Sequence, residues 1–241
     1  MDLRLKGKSV LITGGSKGIG FACAKAFAAE GCRVHLAARS KERLNEAARS
    51  LGGASTHPVD LRDGAALRQL AQDCGEVDIL VNNAGDIPGG TLETLDEAKW
   101  RHAWELKVFG FINLTREIYP RMKARKDGVI VNVIGMAAES QPFEYVCGAA
   151  ANAGLAAFTR AMGKGSREHG VRIVGVHPPS TRTDRIITLM KASAKAKWGD
   201  ESRYQELMGN VIEPEQVGDT VCFLASPRAG QLSGVVLNIG T

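Results

Sequence analysis

What this chain lacks narrows its reading before any motif does. No apolar run approaches the roughly 20 residues that span a bilayer, and no charged-then-apolar leader precedes the first strand-like segment, so no membrane association is expected. Proline-, glycine- or serine-rich linkers, internal repeats and low-complexity tracts are also missing, which points to one domain over residues 1–241. At this length and 44% hydrophobic, that domain can bury one sizeable core. The five cysteines (Cys23, Cys32, Cys74, Cys147 and Cys222) show neither CxxC nor His-paired spacing, and read as reduced thiols of a cytoplasmic protein. Charge of a single sign is absent too. A net charge of +5 from interspersed acids and bases is too weak and mixed for nucleic acid, though it suits an anionic small molecule. His35, His57, His102, His169 and His177 are not grouped as ligands or as a triad, so neither a metal nor a serine hydrolase is expected.

What is present alternates. Apolar strand-like runs at Val10–Ile12, Arg33–Ala38, Thr56–Val59, Val77–Asn82, Gly128–Ile134, Val171–His177 and Val235–Ile239 are separated by helical patterns. Those helices fall at 21–30, 41–51, 65–74, 96–123, 145–168 and 215–225, with a polar segment from 182 to 210. Strands that alternate with helices imply right-handed crossovers, and so an α/β doubly wound Rossmann-type sheet of about seven parallel strands with helices on both faces.

The turn after the first strand reads Thr13-Gly14-Gly15-Ser16-Lys17-Gly18-Ile19-Gly20 and opens a helix. Gly14 permits a tight turn, Gly18 lets backbone approach a pyrophosphate, and Gly20 lets helix pack on strand, while the helix N-terminus offers free N–H groups to phosphate. A plain structural turn is the competing reading. The second strand ends Ala37-Ala38-Arg39-Ser40, without the acid that would grip a ribose 2′-hydroxyl. Arg39 and Lys17 can instead converge on a 2′-phosphate, which favours NADP(H) over NAD(H), unless both are solvated surface charges.

With Asp60-Leu61, Asn82-Asn83-Ala84-Gly85 and Pro178 through Thr183, the chain resembles the short-chain dehydrogenases/reductases over nearly its whole length. The resemblance implies that Asp60 and Leu61 hold the adenine, that Asn83, Ala84 and Gly85 line its ribose, and that Pro178 and Thr183 meet the nicotinamide. Asn82 would brace the sheet. Pro178-Pro179 replaces the family's Pro-Gly, stiffening that loop.

The catalytic half departs from the family pattern. Flanking residues place the family's tyrosine at Gly148, its lysine at Asn152, its serine at Gly135 and its helix asparagine at Lys107, so all four are substituted. A literal Tyr-x-x-x-Lys at Tyr119–Lys123 is a coincidence at the wrong end of a helix. Lys107 and Asn152 carry the family's two functional groups on exchanged helices, so a Lys107 ammonium can fill the space vacated at Asn152; a lysine at a helix surface is the alternative. Tyr145, one helical turn before Gly148, is the candidate proton donor with Lys107 lowering its pKa, against simple aromatic packing at a helix start.

Small residues from Gly148 to Ala157 suggest close helix packing. By resemblance they point to a homo-oligomer, dimer or tetramer; packing within the chain explains them too. Residues 182–210 would cover the substrate. Lys191, Lys195 and Lys197 there either welcome an anionic substrate or form a solvated face. The leading expectation is an NADP(H)-dependent oxidoreductase acting on a small carbonyl or alcohol. An NADPH-binding sensor or scaffold without turnover, and a non-redox lyase, are the alternatives.

Overall fold

The computed structural model of the protein describes residues 1–209 and 211–240; Asn210 and Thr241, the far ends of the expected lid and tail, lie outside the described residues. The strands are β1 (Ser9–Thr13), β2 (Arg33–Ala38), β3 (Ser55–Pro58), β4 (Ile79–Asn82), β5 (Gly128–Val133), β6 (Val171–His177) and β7 (Val236–Asn238). They form one all-parallel sheet in the order β3-β2-β1-β4-β5-β6-β7. The order reverses between β1 and β4, where the C-terminal strand ends leave a crevice.

Helices cover both faces. They are α1 (Gly18–Ala29), α2 (Lys41–Ser50), α3 (Gly64–Asp73), α4 (Glu97–Trp104), α5 (Gly110–Arg125), α6 (Ala137–Ser140), α7 (Val146–Ser166), α8 (Asp184–Trp198), α9 (Gln205–Met208) and α10 (Pro214–Ala225). Side chains alternate across β1: Val10 and Ile12 enter the core under α1, α2 and α10 with Phe27, Leu44 and Val221. Leu11 faces the other way, toward Leu67 and Leu70 of α3 and Leu114 and Ile118 of α5. Every residue of β1 and of β4 is buried, as a strand covered on both faces requires.

The helix starts are written locally. Ser40, Asp63, Asp96 and Thr183 cap α2, α3, α4 and α8 through their own side chains, and Glu213 and Gln216 form a reciprocal capping box on α10. The expected long helix 96–123 is interrupted: Glu105–Phe109 forms a π turn between α4 and α5. The polar segment after β6 is mostly helical, as α8, a 3₁₀ turn at Glu201–Tyr204 and α9.

A buried polar ladder crosses the sheet's middle. Asn82 on β4 donates to Thr115 Oγ1 on α5 (3.1 Å) and to Asn132 Oδ1 on β5 (2.9 Å). Asn132 in turn donates to Thr159 Oγ1 on α7 (2.8 Å). The two central strands are thereby tied to α5 and to α7.

Candidate active site

The turn from Gly14 to Gly20 adopts backbone that only glycine accommodates readily. Gly14 and Gly18 lie at φ +66° and +54°, in the left-handed region, and a Cβ on Gly20 would overlap the Gly14 carbonyl oxygen. Lys17 precedes α1 in extended backbone and makes no side-chain cap, in contrast to Ser40, Asp63 and Asp96 at their helices. The first N–H groups of α1 thus keep their donors for a phosphate, and the cradle fits the dinucleotide that this fold implies.

Neighbouring segments lock this loop. Asn83 donates through Nδ2 to Thr13 O (2.9 Å), while the Asn83 and Ala84 backbone N–H groups donate to Thr13 Oγ1 (2.9 and 3.1 Å). A Cβ on Gly14 would approach Asn83 Nδ2 to 2.9 Å. Ser16 and Ile19 are half-buried in the loop, and Lys17 and Arg39 are exposed at its rim. Leu61 is buried against the α3 side of the core. Beside it, Asp60 accepts from Arg62 Nε (2.9 Å) and Nη2 (2.5 Å), which holds its carboxyl below the usual range. Thr183 caps α8 and stands over the loop: a Cβ on Gly18 would lie 3.2 Å from its Cγ2. Pro178 accepts through its carbonyl from Met136 N (3.0 Å), pinning the loop after β6 to the loop after β5.

The residues at the positions expected to be catalytic converge. Lys107 lies in the π turn, 7% exposed, and donates through Nζ to Ile134 O (2.5 Å). Its methylenes pack against the loop after β4, since a Cβ on Gly85 would lie 2.9 Å from Lys107 Cδ. Burial, aided by the Arg185 charge, brings its pKa down to about 7. Asn152 is buried and donates to Gly135 O (3.3 Å), while its Oδ1 has no hydrogen-bond partner among the described residues. Lys107 and Asn152 thus meet at consecutive carbonyls after β5. Gly135, at φ +131°, leaves room for the amide: a Cβ there would be 2.9 Å from Asn152 Nδ2.

Tyr145 sits just before α7 with its ring across the place where a side chain at position 148 would begin. A Cβ on Gly148 would overlap its Cε1 and Cζ. Its hydroxyl accepts from Arg185 Nη2 (3.2 Å), and the same guanidinium donates to Ile87 O (2.7 Å) and Gly85 O (3.1 Å).

The geometry corrects one expectation. Burial raises the Tyr145 pKa, and the charge that opposes this rise is Arg185 rather than Lys107. Arg185 gave no sign of itself in the sequence, because it lies on α8 and reaches back across the crevice. His177, fully buried at the end of β6, was likewise unassigned. It lies 3.5 Å from Glu139 Oε1, and burial lowers its pKa.

Other expectations fall elsewhere. Tyr119 and Lys123 are at the C-terminal end of α5, where Arg125 reaches Val77 O before β4, at the edge opposite the crevice. Lys191, Lys195 and Lys197 are exposed; Lys191 lies over the Tyr204 ring (5.5 Å) and Lys197 over Trp198 (4.8 Å), as a solvated face would. The histidines are not all scattered, since His35 and His57 meet on the sheet beside Cys74. Among the described residues no helix is long and apolar enough to cross a membrane.

Known proteins share this architecture. Residues 8–194 match the family model described as short chain dehydrogenase. The 7alpha-hydroxysteroid dehydrogenase of Escherichia coli (strain K12) is 31% identical over 248 residues, covering 99% of this chain and 94% of that protein. An L-sorbose reductase from Gluconobacter frateurii, solved with NADPH and L-sorbose, superposes with a TM-score of 0.92 at 30% identity, over 99% of this chain and 97% of its own. A 7 alpha-hydroxysteroid dehydrogenase solved with NADH and 7-oxo glycochenodeoxycholic acid gives 0.84 at 29% identity, over 99% of this chain and 94% of its own. With its glycine cradle at the sheet's switch point and a match over most of its length, the chain belongs to the short-chain dehydrogenase family of oxidoreductases.

Proposed function

We propose that this protein is an NADP(H)-dependent oxidoreductase acting on a small carbonyl or alcohol, with Tyr145 serving as the family's missing tyrosine. The observation that carries this reading is the Tyr145 ring lying in the volume that Gly148 leaves open, its hydroxyl held by Arg185 in the crevice. Related dehydrogenases solved with sugar and steroid carbonyl ligands support the substrate class.

Gly14, Ser16, Gly18, Ile19 and Gly20 would hold the pyrophosphate, with Lys17 and Arg39 on the 2′-phosphate. Asp60 and Leu61 would take the adenine, Asn83, Ala84 and Gly85 its ribose, and Pro178 and Thr183 the nicotinamide end. When bound, the nicotinamide supplies or accepts the hydride. In the reductive direction Tyr145 donates its phenolic proton to the substrate oxygen, and the Arg185 guanidinium stabilises the phenolate that remains. Lys107, titrating near neutrality at the crevice floor, keeps a mobile proton there, and Asn152 fixes the adjacent backbone.

A homo-oligomer fits the outer face of α7. Gly148, Ala149, Ala151 and Ala156 are buried within the chain, whereas Ala150, Ala153, Gly154 and Ala157 are exposed. A Cβ on Gly154 would meet nothing within 4 Å, so nothing within the chain demands a glycine there.

The test is NADPH oxidation across ketones, aldehydes and acyl thioesters, with Tyr145→Phe alongside. Turnover that collapses in the variant while NADPH still binds supports the assignment. Full turnover in Tyr145→Phe overturns it, and tight NADPH binding with no turnover across the panel favours the sensor.

A further inference from the structure

Away from the crevice, the sheet assembles a second cluster of chemically capable side chains. In the β2–β3 register Ala37 stands opposite His57 and His35 opposite Ser55. His35 and His57 therefore project from the same face, diagonal to one another on neighbouring strands. That face lies under α3, whose last turn leads directly into Cys74. The fold thus unites residues 22 and 17 positions apart in the sequence.

The distances are those of a donor set. His35 Nδ1 and His57 Nε2 are 3.1 Å apart, and Cys74 Sγ is 3.6 Å from His57 Nε2. All three ligand atoms lie within 4.8 Å of one another. Tetrahedral zinc bonds of about 2.0–2.3 Å would set N–N and N–S separations near 3.4 and 3.6 Å. The two rings are nearly parallel, 5.3 Å between centroids and 24° between planes. Cys74 is 6% exposed, while the histidines are half-buried beside a surface depression lined by His35, Cys74 and Glu76. A fourth position facing that depression would be open to water. Burial pushes the Cys74 thiol up; the Asp73 carboxylate supplies negative potential beside His57 and Cys74, against the Arg33 charge near His35 and the Arg121 charge near Cys74.

We propose that His35, His57 and Cys74 form a binding site for a thiophilic divalent cation, with zinc as the probe, separate from the oxidoreductase crevice. Two imidazoles and one thiolate match borderline-soft metals rather than magnesium or calcium, which take oxygen ligands. Binding requires the thiol to lose its proton to solvent, so zinc uptake releases a proton and strengthens with pH. A bound ion would tie β2, β3 and the end of α3 together, stabilising the folded chain. The site lies apart from the cofactor: His35 precedes Arg39 by four residues, about 13 Å at the rise of a strand.

The full-length protein, stripped with chelator, would be titrated with Zn²⁺ against a chromophoric competitor and separately with Co²⁺. One zinc per chain is expected, with proton release, a raised unfolding temperature and a cobalt spectrum carrying a thiolate charge-transfer band. Cys74→Ser should abolish that band, and both Cys74→Ser and His57→Gln should weaken zinc binding by at least about tenfold. Undiminished NADPH affinity in both variants would show that they fold, and Cys32→Ser, which changes a nearby thiol outside the trio, should bind zinc normally. Zinc binding unchanged in both Cys74→Ser and His57→Gln, a cobalt complex without the band, or no zinc uptake at all would overturn the proposal.

Discussion

The two halves of the crevice obey different rules. On the β1–β2 side, the proposed function rests on backbone: glycines at positive φ, helix N–H groups left uncapped, and loops pinned by Thr13 and Asn83. On the β5–α7 side it rests on side chains that reach into gaps left by glycines, with Tyr145 over Gly148, Lys107 against Gly85 and Asn152 beneath Gly135. A backbone site permits few substitutions because a Cβ has nowhere to go. A side-chain site can be rebuilt from a neighbouring position, provided that space opens where the old group stood.

That contrast can be broken by mutation, and Tyr145→Phe carries the largest expected effect. Turnover should fall by about 10²–10⁴-fold with cofactor affinity unchanged, which steady-state kinetics and an NADPH titration would show. Gly20→Ala comes next. Its new methyl meets the Gly14 carbonyl, so the variant should lose about 1–3 kcal/mol in chemical denaturation and bind NADPH poorly. Equal stability and affinity in that variant would mean that the backbone half is as adaptable as the other.

Lys107 offers a test through pH. Its folded pKa of about 7 lies below the ordinary 10.5, so between these values the unfolded chain binds the extra proton. This group's contribution to stability therefore rises from pH 7 toward 10.5, and its burial is most costly below 7. Urea denaturation of Lys107→Met should lack that rise. The reductive rate of the unaltered protein should fall as pH passes upward through 7, with that step missing in the variant. Arg39→Ala is milder: NADPH affinity should drop by about 10- to 100-fold and NADH affinity hardly at all, as loss of one charge-assisted contact predicts. Asp63→Ala, remote from both halves, should cost about 1 kcal/mol of stability through the lost α3 cap and leave kinetics intact.

Legibility in the sequence tracked the range of the interactions. The alternation of strands and helices and the glycine-rich turn after β1 depend on residues close together in the chain, and both could be read there. The packing of Tyr145 against Gly148 was within reach because the two are three residues apart. Arg185 was not, since its acceptor Gly85 lies 100 residues away. The ladder from Thr115 through Asn82 and Asn132 to Thr159 joins residues separated by 33, 50 and 27 positions, and no local pattern marks such pairing. The same holds for His35, His57 and Cys74, whose grouping comes from the β2–β3 register and from α3 lying over that face.

The π turn at Glu105–Phe109 makes the reach of Lys107 a question of rotational phase. Each α-helical residue turns the chain by about 100°, and a wider turn lets the helix absorb one residue more without shifting α5. Deleting Glu105 would let α4 run smoothly into α5 and would swing the ammonium away from Ile134, with every charged group in the crevice still encoded. The direction of the Lys107 side chain is therefore set by chain length in this turn as well as by residue identity.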